Sequence, residues 1–248
     1  LAESDALQAQ TAEELNAICL VLRHATGHDF RHYKPATLLR RMARRMQVLQ
    51  IGALADYAER LRRDRQEVDQ LFQDLLISVT QFFRDRAAFD ALAGAAIPNI
   101  FGGKGFDTPV RVWVAGCASG EEAYTIAILL REQIARLEAP PPVQVFATDI
   151  DEHALAVARQ GRYDQGIVEQ VSGEQLARYF TQDGRFYQVT KAIRDMCIFS
   201  AHNLISDPPF TRIDLIACRN VLIYFDADLQ RKLIPLLHYA LAPQGYLF

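Results

Sequence analysis

The run from Val110 to Tyr124 (VRVWVAGCASGEEAY) limits the fold more than any other stretch. Val110, Val112 and Val114 alternate as in a short buried strand. Gly116 and Gly120 then turn the chain, and Ala123, Ala127, Leu130 and Ile134 recur at helical spacing behind them. Strand, glycine turn and helix in that order form an entry site for a nucleotide-type cofactor. Backbone without side chains lets a ligand approach, and the helix N-terminus offers N–H groups with no intrahelical partner.

The spacing narrows the class of ligand. Gly116-Cys-Ala-Ser-Gly120 is small-x-small-x-small, not the Gly-x-Gly-x-x-Gly of dinucleotide folds, and Glu121 and Glu122 follow at once. Two carboxylates in a first helical turn suit the helix dipole but repel a pyrophosphate. The sulfonium and ammonium of S-adenosylmethionine fit them better. An ordinary buried helix with an acidic first turn has the same pattern, so further segments must decide.

The chain has 248 residues, half of them hydrophobic (50%), enough for one good core and a small second unit. A net charge of −3 gives the whole molecule no reason to bind nucleic acid or an anionic membrane. No apolar run is long enough to span a bilayer. Cys19, Cys117, Cys197 and Cys218 are scattered without a C-x-x-C pair, as in the reduced thiols of a cytoplasmic protein.

Residues 1–74 carry helix signals only and read as a helical N-terminal domain. Thr11 opens a Thr-Ala-Glu-Glu capping box. From Ala36 to about Leu49, Leu39, Met42, Met46 and Leu49 share one helix face, and Arg40, Arg41, Arg44 and Arg45 the other. Between Arg31 and Arg65, ten basic side chains face three acidic ones, a local excess inside an acidic protein. The cluster suits an acidic partner, although a solvated helix face has the same composition. Nucleic acid is disfavoured because no aromatics interleave. His24, His28 and His32 fall at helical spacing, but Gly27 interrupts the helix, so no metal site is expected.

Residues 75–248 read as an α/β domain. Leu75–Asp85 joins the two parts and carries Ser78, Thr80 and Arg84 at even spacing on an apolar background. After strand Val110–Ala115 comes a helix ending near Leu137, then a strand over Val143–Thr148 that ends in Asp149. A carboxylate there can accept both ribose hydroxyls of an adenosyl group; capping the next helix is the alternative, which Asp151 fills equally well. Alternating strands and helices predict a parallel sheet with helices on both faces and a ligand beyond the carboxyl ends of the strands. Residues from 162 to about 200 break that rhythm around Asp183-Gly184 and read as a small antiparallel insertion. Ile213–Ala217 reads as the fourth core strand. A fifth, after Pro243-Gln-Gly245, has barely started at Phe248, so closing strands are expected to be missing.

Five segments in order, Arg40–Met46, Ser78–Arg84, Ala115–Tyr124, Ala147–Asp151 and Cys218–Asp226, resemble the CheR-type chemotaxis receptor methyltransferases. The resemblance runs from about Leu15 to Phe248. It implies a class I, Rossmann-like S-adenosylmethionine-dependent methyltransferase domain behind an all-α domain. The activity it implies is protein-glutamate O-methylation, forming methyl esters on cytoplasmic chemoreceptor helices and releasing S-adenosylhomocysteine. The Lys34–Met42 sequence resembles members fused to a methylesterase, so a fused or separate methylesterase is an expected partner.

Carried over by position, the resemblance puts Ser78, Thr80, Arg84, Gly116, Glu122, Asp149, Asn203, Leu204, Arg219 and Asn220 against the cofactor. Arg84 and Tyr224 would flank the transferred methyl, and Arg40, Arg41, Arg44 and Arg45 would face the receptor. Ser78 departs from the family, which often has Asn there. The short insertion lacks the extra glycines of members that dock on a receptor's C-terminal pentapeptide. The competing readings are a non-catalytic module that binds S-adenosylmethionine or S-adenosylhomocysteine, a dinucleotide oxidoreductase, which the motif spacing disfavours, and a small-molecule methyltransferase, which leaves the basic helix unexplained.

Overall fold

The computed structural model describes residues 2–248, with side chains from Ala9 onward. The chain divides into two compact units. Residues through Ile77 together with Leu222–Lys232 form one, and Ser78–Val221 with Leu233–Phe248 form the other.

The first unit is helical: α1 (Ala2–Thr26), α2 (Pro35–Leu49), α3 (Leu54–Arg63) and α4 (Arg65–Leu75). Helix α1 runs unbroken through Thr11, so the capping box read there is not an N-terminus. Pro35 starts α2, where its missing N–H and fixed φ cost nothing. Asp64 caps α4 by accepting the Glu67 N–H. Ile18, Leu22, Phe30, Leu38, Met42, Tyr57 and Leu71 are buried together, each such aliphatic or aromatic side chain worth about 1.5–3 kcal/mol. Leu39, Met46 and Leu49 pack half-buried against that core.

The four arginines of α2 do not form one solvent face. Arg40 and Arg44 are exposed, but Arg45 turns inward and grips the buried Glu67 carboxylate through Nε (3.0 Å) and Nη2 (2.6 Å). Tyr57 donates to the same carboxylate at 2.7 Å, and Arg41 donates to the Asp74 carbonyl. The inward pair is structural because α4 brings Glu67 and Asp74 under one edge of α2.

The three histidines also diverge. His24 is exposed, His28 is buried against Tyr33 Oη (2.9 Å), and His32 Nδ1 faces Asp226 Oδ2 at 3.3 Å. The segment Leu222–Lys232 is tied into this unit by backbone bonds from Lys34 N to Tyr224 O and from Asp226 N to His32 O.

The second unit opens with α5 (Arg86–Ala91), a π-helical turn over Leu92–Ala96 and α6 (Ile97–Phe101). Then follow β1 (Val110–Ala115), α7 (Glu121–Ile134), β2 (Val143–Asp149), α8 (Glu152–Gln160), β3 (Arg162–Asp164), α9 (Gly173–Tyr179), β4 (Phe180–Asp183) and β5 (Phe186–Val189). Last come α10 (Lys191–Arg194), β6 (Cys197–Ala201), β7 (Ile213–Ala217), α11 (Ala227–Ala240), whose first part belongs to the helical unit, and β8 (Leu241–Leu247). A five-stranded parallel sheet has the order β6-β2-β1-β7-β8, and β3, β5 and β4 form a separate antiparallel sheet.

Two expectations are corrected. The antiparallel sheet ends at Val189, because Cys197–Ala201 pairs residue by residue with β2 and so belongs to the main sheet. The fifth strand is already paired: β8 lies parallel to β7 from Leu241, with an irregularity between the Ile213 and Leu215 pairings and renewed register at Tyr246 and Leu247. The strand begins earlier than its turn-forming residues suggest, because Pro243 and Gly245 sit inside it.

Candidate active site

Chain order in the sheet decides where a ligand can sit. Connections run outward from β1 in opposite directions, to β2 and β6 on one side and to β7 and β8 on the other. The crevice beyond the carboxyl ends of β1 and β7 is therefore the switch point of the sheet. Four loops leave there: Gly116–Gly120 after β1, Ile150–Asp151 after β2, the stretch with Asn203 and Leu204 after β6, and Cys218–Val221 after β7.

The first loop is held from below by β2. The Thr148 carbonyl accepts the N–H groups of Gly116 (2.8 Å) and Cys117 (3.0 Å), and its hydroxyl oxygen accepts from the Trp113 indole (2.9 Å). Asp149 Oδ2 accepts the Ala118 N–H at 2.8 Å, while Oδ1 accepts the Asp151 N–H at 2.9 Å. Asp149 is thus a loop anchor, and the cap of α8 is Asp151, which accepts from His153 and Ala154.

Gly116 (φ +73°) and Gly120 (φ +96°) both have left-handed backbone. A β-carbon on Gly116 would lie 2.4 Å from Val221 Cγ2, and one on Gly120 would lie 2.8 Å from Ala158 Cβ. The protein's own packing therefore accounts for both glycines. The space beside these glycines, expected from the sequence to admit a ligand, is filled by Val221 and Ala158, with the Tyr163 hydroxyl beside Gly120.

Glu122, on the first turn of α7, is the most perturbed carboxylate of the loop cluster. Its side chain is 14% exposed and one oxygen, Oε2, lies 3.3 Å from Arg219 Nη1. Burial pushes its carboxyl up to about 7, against the pull of Arg219 and then Arg84. Burial raises Asp149 as well. Arg219, itself 11% exposed, donates from Nη2 to Asp85 Oδ2 at 2.8 Å. Its guanidinium carbon lies 4.7 Å from the Phe89 ring centre and 4.8 Å from that of Phe248, so ion pairs and aromatic faces hold it together.

The remaining candidates divide. Ser78 donates to Asp151 Oδ2 at 3.0 Å, which braces the α8 cap behind Asp149. Thr80 is half-buried on the irregular stretch before Phe82, and Arg84 Nη1 donates to the Val79 carbonyl at 3.0 Å. Asn203 closes its loop by accepting the Ile205 N–H, and its own N–H reaches Asp207. Leu204 follows it, half-buried, and Asn220 (φ +57°) follows Arg219. Tyr224 belongs to the helical unit. Sequence reading missed Asp85 and the contact from the Tyr163 hydroxyl to the Ser119 carbonyl (2.7 Å). Asp85 stood directly after Arg84 in the Phe-Phe-Arg-Asp run, but nothing in that run shows which way it points.

These donors and acceptors fit S-adenosylmethionine. A half-buried carboxylate whose hydrogen-bond partner among the described residues is Arg219, and a second that accepts backbone N–H groups of its own loop, suit ammonium and ribose hydroxyl donors better than phosphate. Among the described residues no group of His, Cys, Asp and Glu is arranged to hold a metal ion, and no helix is long and apolar enough to cross a membrane.

Residues 78–248 match the family described as "CheR methyltransferase, SAM binding domain", and residues 13–76 match "CheR methyltransferase, all-alpha domain". A 104.1 kDa protein of Rhodobacter capsulatus, itself uncharacterized, is 41% identical over 239 residues, 96% of this chain but 25% of that protein. The chain therefore spans a quarter of that relative's length. Chemotaxis protein methyltransferase 2 of Pseudomonas aeruginosa is 32% identical across 96% of this chain and 85% of its own length. A chemotaxis protein methyltransferase of Borreliella burgdorferi is 29% identical across 96% and 86%. With both domains matched in order and the acidic loop cluster at the switch point of the sheet, the chain belongs to the CheR methyltransferase family and is an S-adenosylmethionine-dependent methyltransferase.

Proposed function

We propose that this protein methylates glutamate side chains on the cytoplasmic helices of chemoreceptors, forming methyl esters for sensory adaptation. The observation that carries the reading is Glu122, a half-buried carboxylate on the first turn of α7, held by an arginine contact from Arg219. Relatives named as chemotaxis protein methyltransferases support the substrate class. A methyl ester needs a hydrolase to reverse it, so a methylesterase, fused or separate, is the second partner.

Bound S-adenosylmethionine supplies a methyl group on positively charged sulfur. The acceptor carboxylate is already ionised at neutral pH, so no general base is assigned. Glu122 and Asp149 would hold the cofactor's ammonium and ribose hydroxyls, with Asn203, Leu204 and Asn220 on neighbouring loops and Thr80 on the stretch before Phe82. Arg84, with one amino group on the Val79 carbonyl, would present the other to the incoming carboxylate. That contact must be loose, since a tight ion pair would stabilise the ground state and slow attack. A dry methyl site favours the collapse of opposite charges. Alignment contributes the rest, at most about 7–11 kcal/mol. Arg40 and Arg44 would meet the acidic receptor helix.

The test is transfer of labelled methyl from S-adenosylmethionine to a receptor cytoplasmic fragment. The expected label is released by mild base and disappears when the acceptor glutamates are replaced by alanine. A base-stable label would contradict the reading.

A further inference from the structure

Arg219 is shared between two carboxylates, and the sharing is uneven. The shorter contact, 2.8 Å, goes to Asp85, whose side chain is 65% exposed; the longer, 3.3 Å, goes to Glu122, 14% exposed. Both Arg219–Glu122 contact and hydrogen bond use Oε2 alone. A guanidinium next to a lone carboxylate would otherwise take both oxygens through its planar fork.

The local backbone points Asp85 toward this task. Asp85 has φ +62° and ψ +64°, and Phe83 two residues earlier has φ +51°, a conformation that side-chain-bearing residues rarely adopt. The turn is held by the Phe83 N–H on the Thr125 hydroxyl (3.1 Å) and the Ala88 N–H on the Asp85 carbonyl (2.8 Å). Although Asp85 precedes α5, its side chain accepts no N–H of that helix. Among the described residues Arg219 is the hydrogen-bond partner of its carboxylate.

We propose that Asp85 is a positioning residue for the cofactor site: by holding one end of Arg219, it keeps that arginine from closing on both Glu122 oxygens and leaves one to accept from the ligand. The proposal rests on the assignment of Glu122 to the cofactor. It adds a competitor for Arg219 that tunes how available Glu122 is. Arg219 contacts Glu122, and among the described residues Arg84, Cys117 and Cys218 are near enough to interact with it electrostatically. Burial lifts the Cys218 thiol to about 12 and Cys117 well above the ordinary thiol range, so both stay neutral at physiological pH.

Two substitutions test this. Asp85→Asn keeps the acceptor and tolerates left-handed backbone; Asp85→Gly removes the acceptor and is at ease at this φ. The Glu122 carboxyl carbon is titrated by NMR in the ligand-free protein, and S-adenosylhomocysteine affinity is measured by calorimetry from pH 6 to 8. In Asp85→Gly the Glu122 midpoint is expected to fall, as Arg219 closes on it, and affinity to weaken roughly fivefold, the scale of one exposed ion-pair contact. Asp85→Asn is expected to lie between Asp85→Gly and wild type. An unmoved midpoint, or a lowered one with unchanged affinity, overturns the proposal. A wild-type protein that binds no S-adenosylhomocysteine while the midpoint still falls would instead sink the cofactor assignment.

Discussion

The Tyr163 hydroxyl donates to the Ser119 carbonyl at 2.7 Å, tying the antiparallel sheet to the glycine turn after β1. The Tyr163 ring is also packed edge-on against Phe82, at the start of the turn that carries Asp85. Tyr163→Phe keeps the ring and leaves a carbonyl unpaired. It should cost about 1–3 kcal/mol, read as a lower urea midpoint with unchanged slope.

Gly116→Ala faces two penalties, left-handed backbone and a contact of 2.4 Å with Val221. The backbone alone costs about 1–2 kcal/mol, and the clash adds to it. Denaturation of Gly116→Ala with and without Val221→Ala separates the two. The second substitution should recover the clash component and leave the backbone component.

Glu122 gives the stability a pH dependence of definite sign. Its carboxyl ionises near 4.5 when unfolded and at about 7 when folded. Between those values the folded chain holds a proton that the unfolded chain has lost. Stability therefore falls as pH rises from 4.5 to 7 and is flat in this component above 7, by at most about 3 kcal/mol. Glu121 and Asp149, also raised by burial, act in the same direction. Urea denaturation of Glu122→Gln against wild type at several pH values isolates the Glu122 share. The variant's advantage should grow up to neutral pH.

The α2 arginines should separate into two classes. Arg45→Met leaves Glu67, 5% exposed, buried with Tyr57 alone and should cost about 3–5 kcal/mol. Arg40→Ala and Arg44→Ala should stay within about 0.5 kcal/mol of wild type yet lower methylation of a receptor fragment. If either weakens folding as much as Arg45→Met, the division is wrong.

The parallel sheet, its strand-turn-helix entry and the helical N-terminal part were legible because buried strands and amphipathic helices have periods that survive in sequence. The carboxylates Glu122 and Asp149 were legible through their places after a glycine turn and a strand end. What decides their state was not. Arg219 lies 97 residues from Glu122 and 134 from Asp85, and only the sheet order brings them together. The arginine face of α2 misled for a related reason: helical spacing shows which residues share a side, but not that α4 places Glu67 beneath part of it. The sequence shows the ligand capacity of Asp149, while its bonds to Ala118 and Asp151 depend on a loop conformation that residue types alone do not encode.

The most direct measurement is calorimetric titration of the wild-type protein with S-adenosylhomocysteine, repeated on Glu122→Gln and Asp149→Asn. The account predicts micromolar binding by wild type, weakened at least tenfold in each variant, with all three proteins folded by circular dichroism. A folded wild-type protein that takes up no S-adenosylhomocysteine, or variants that bind it as wild type does, would contradict it.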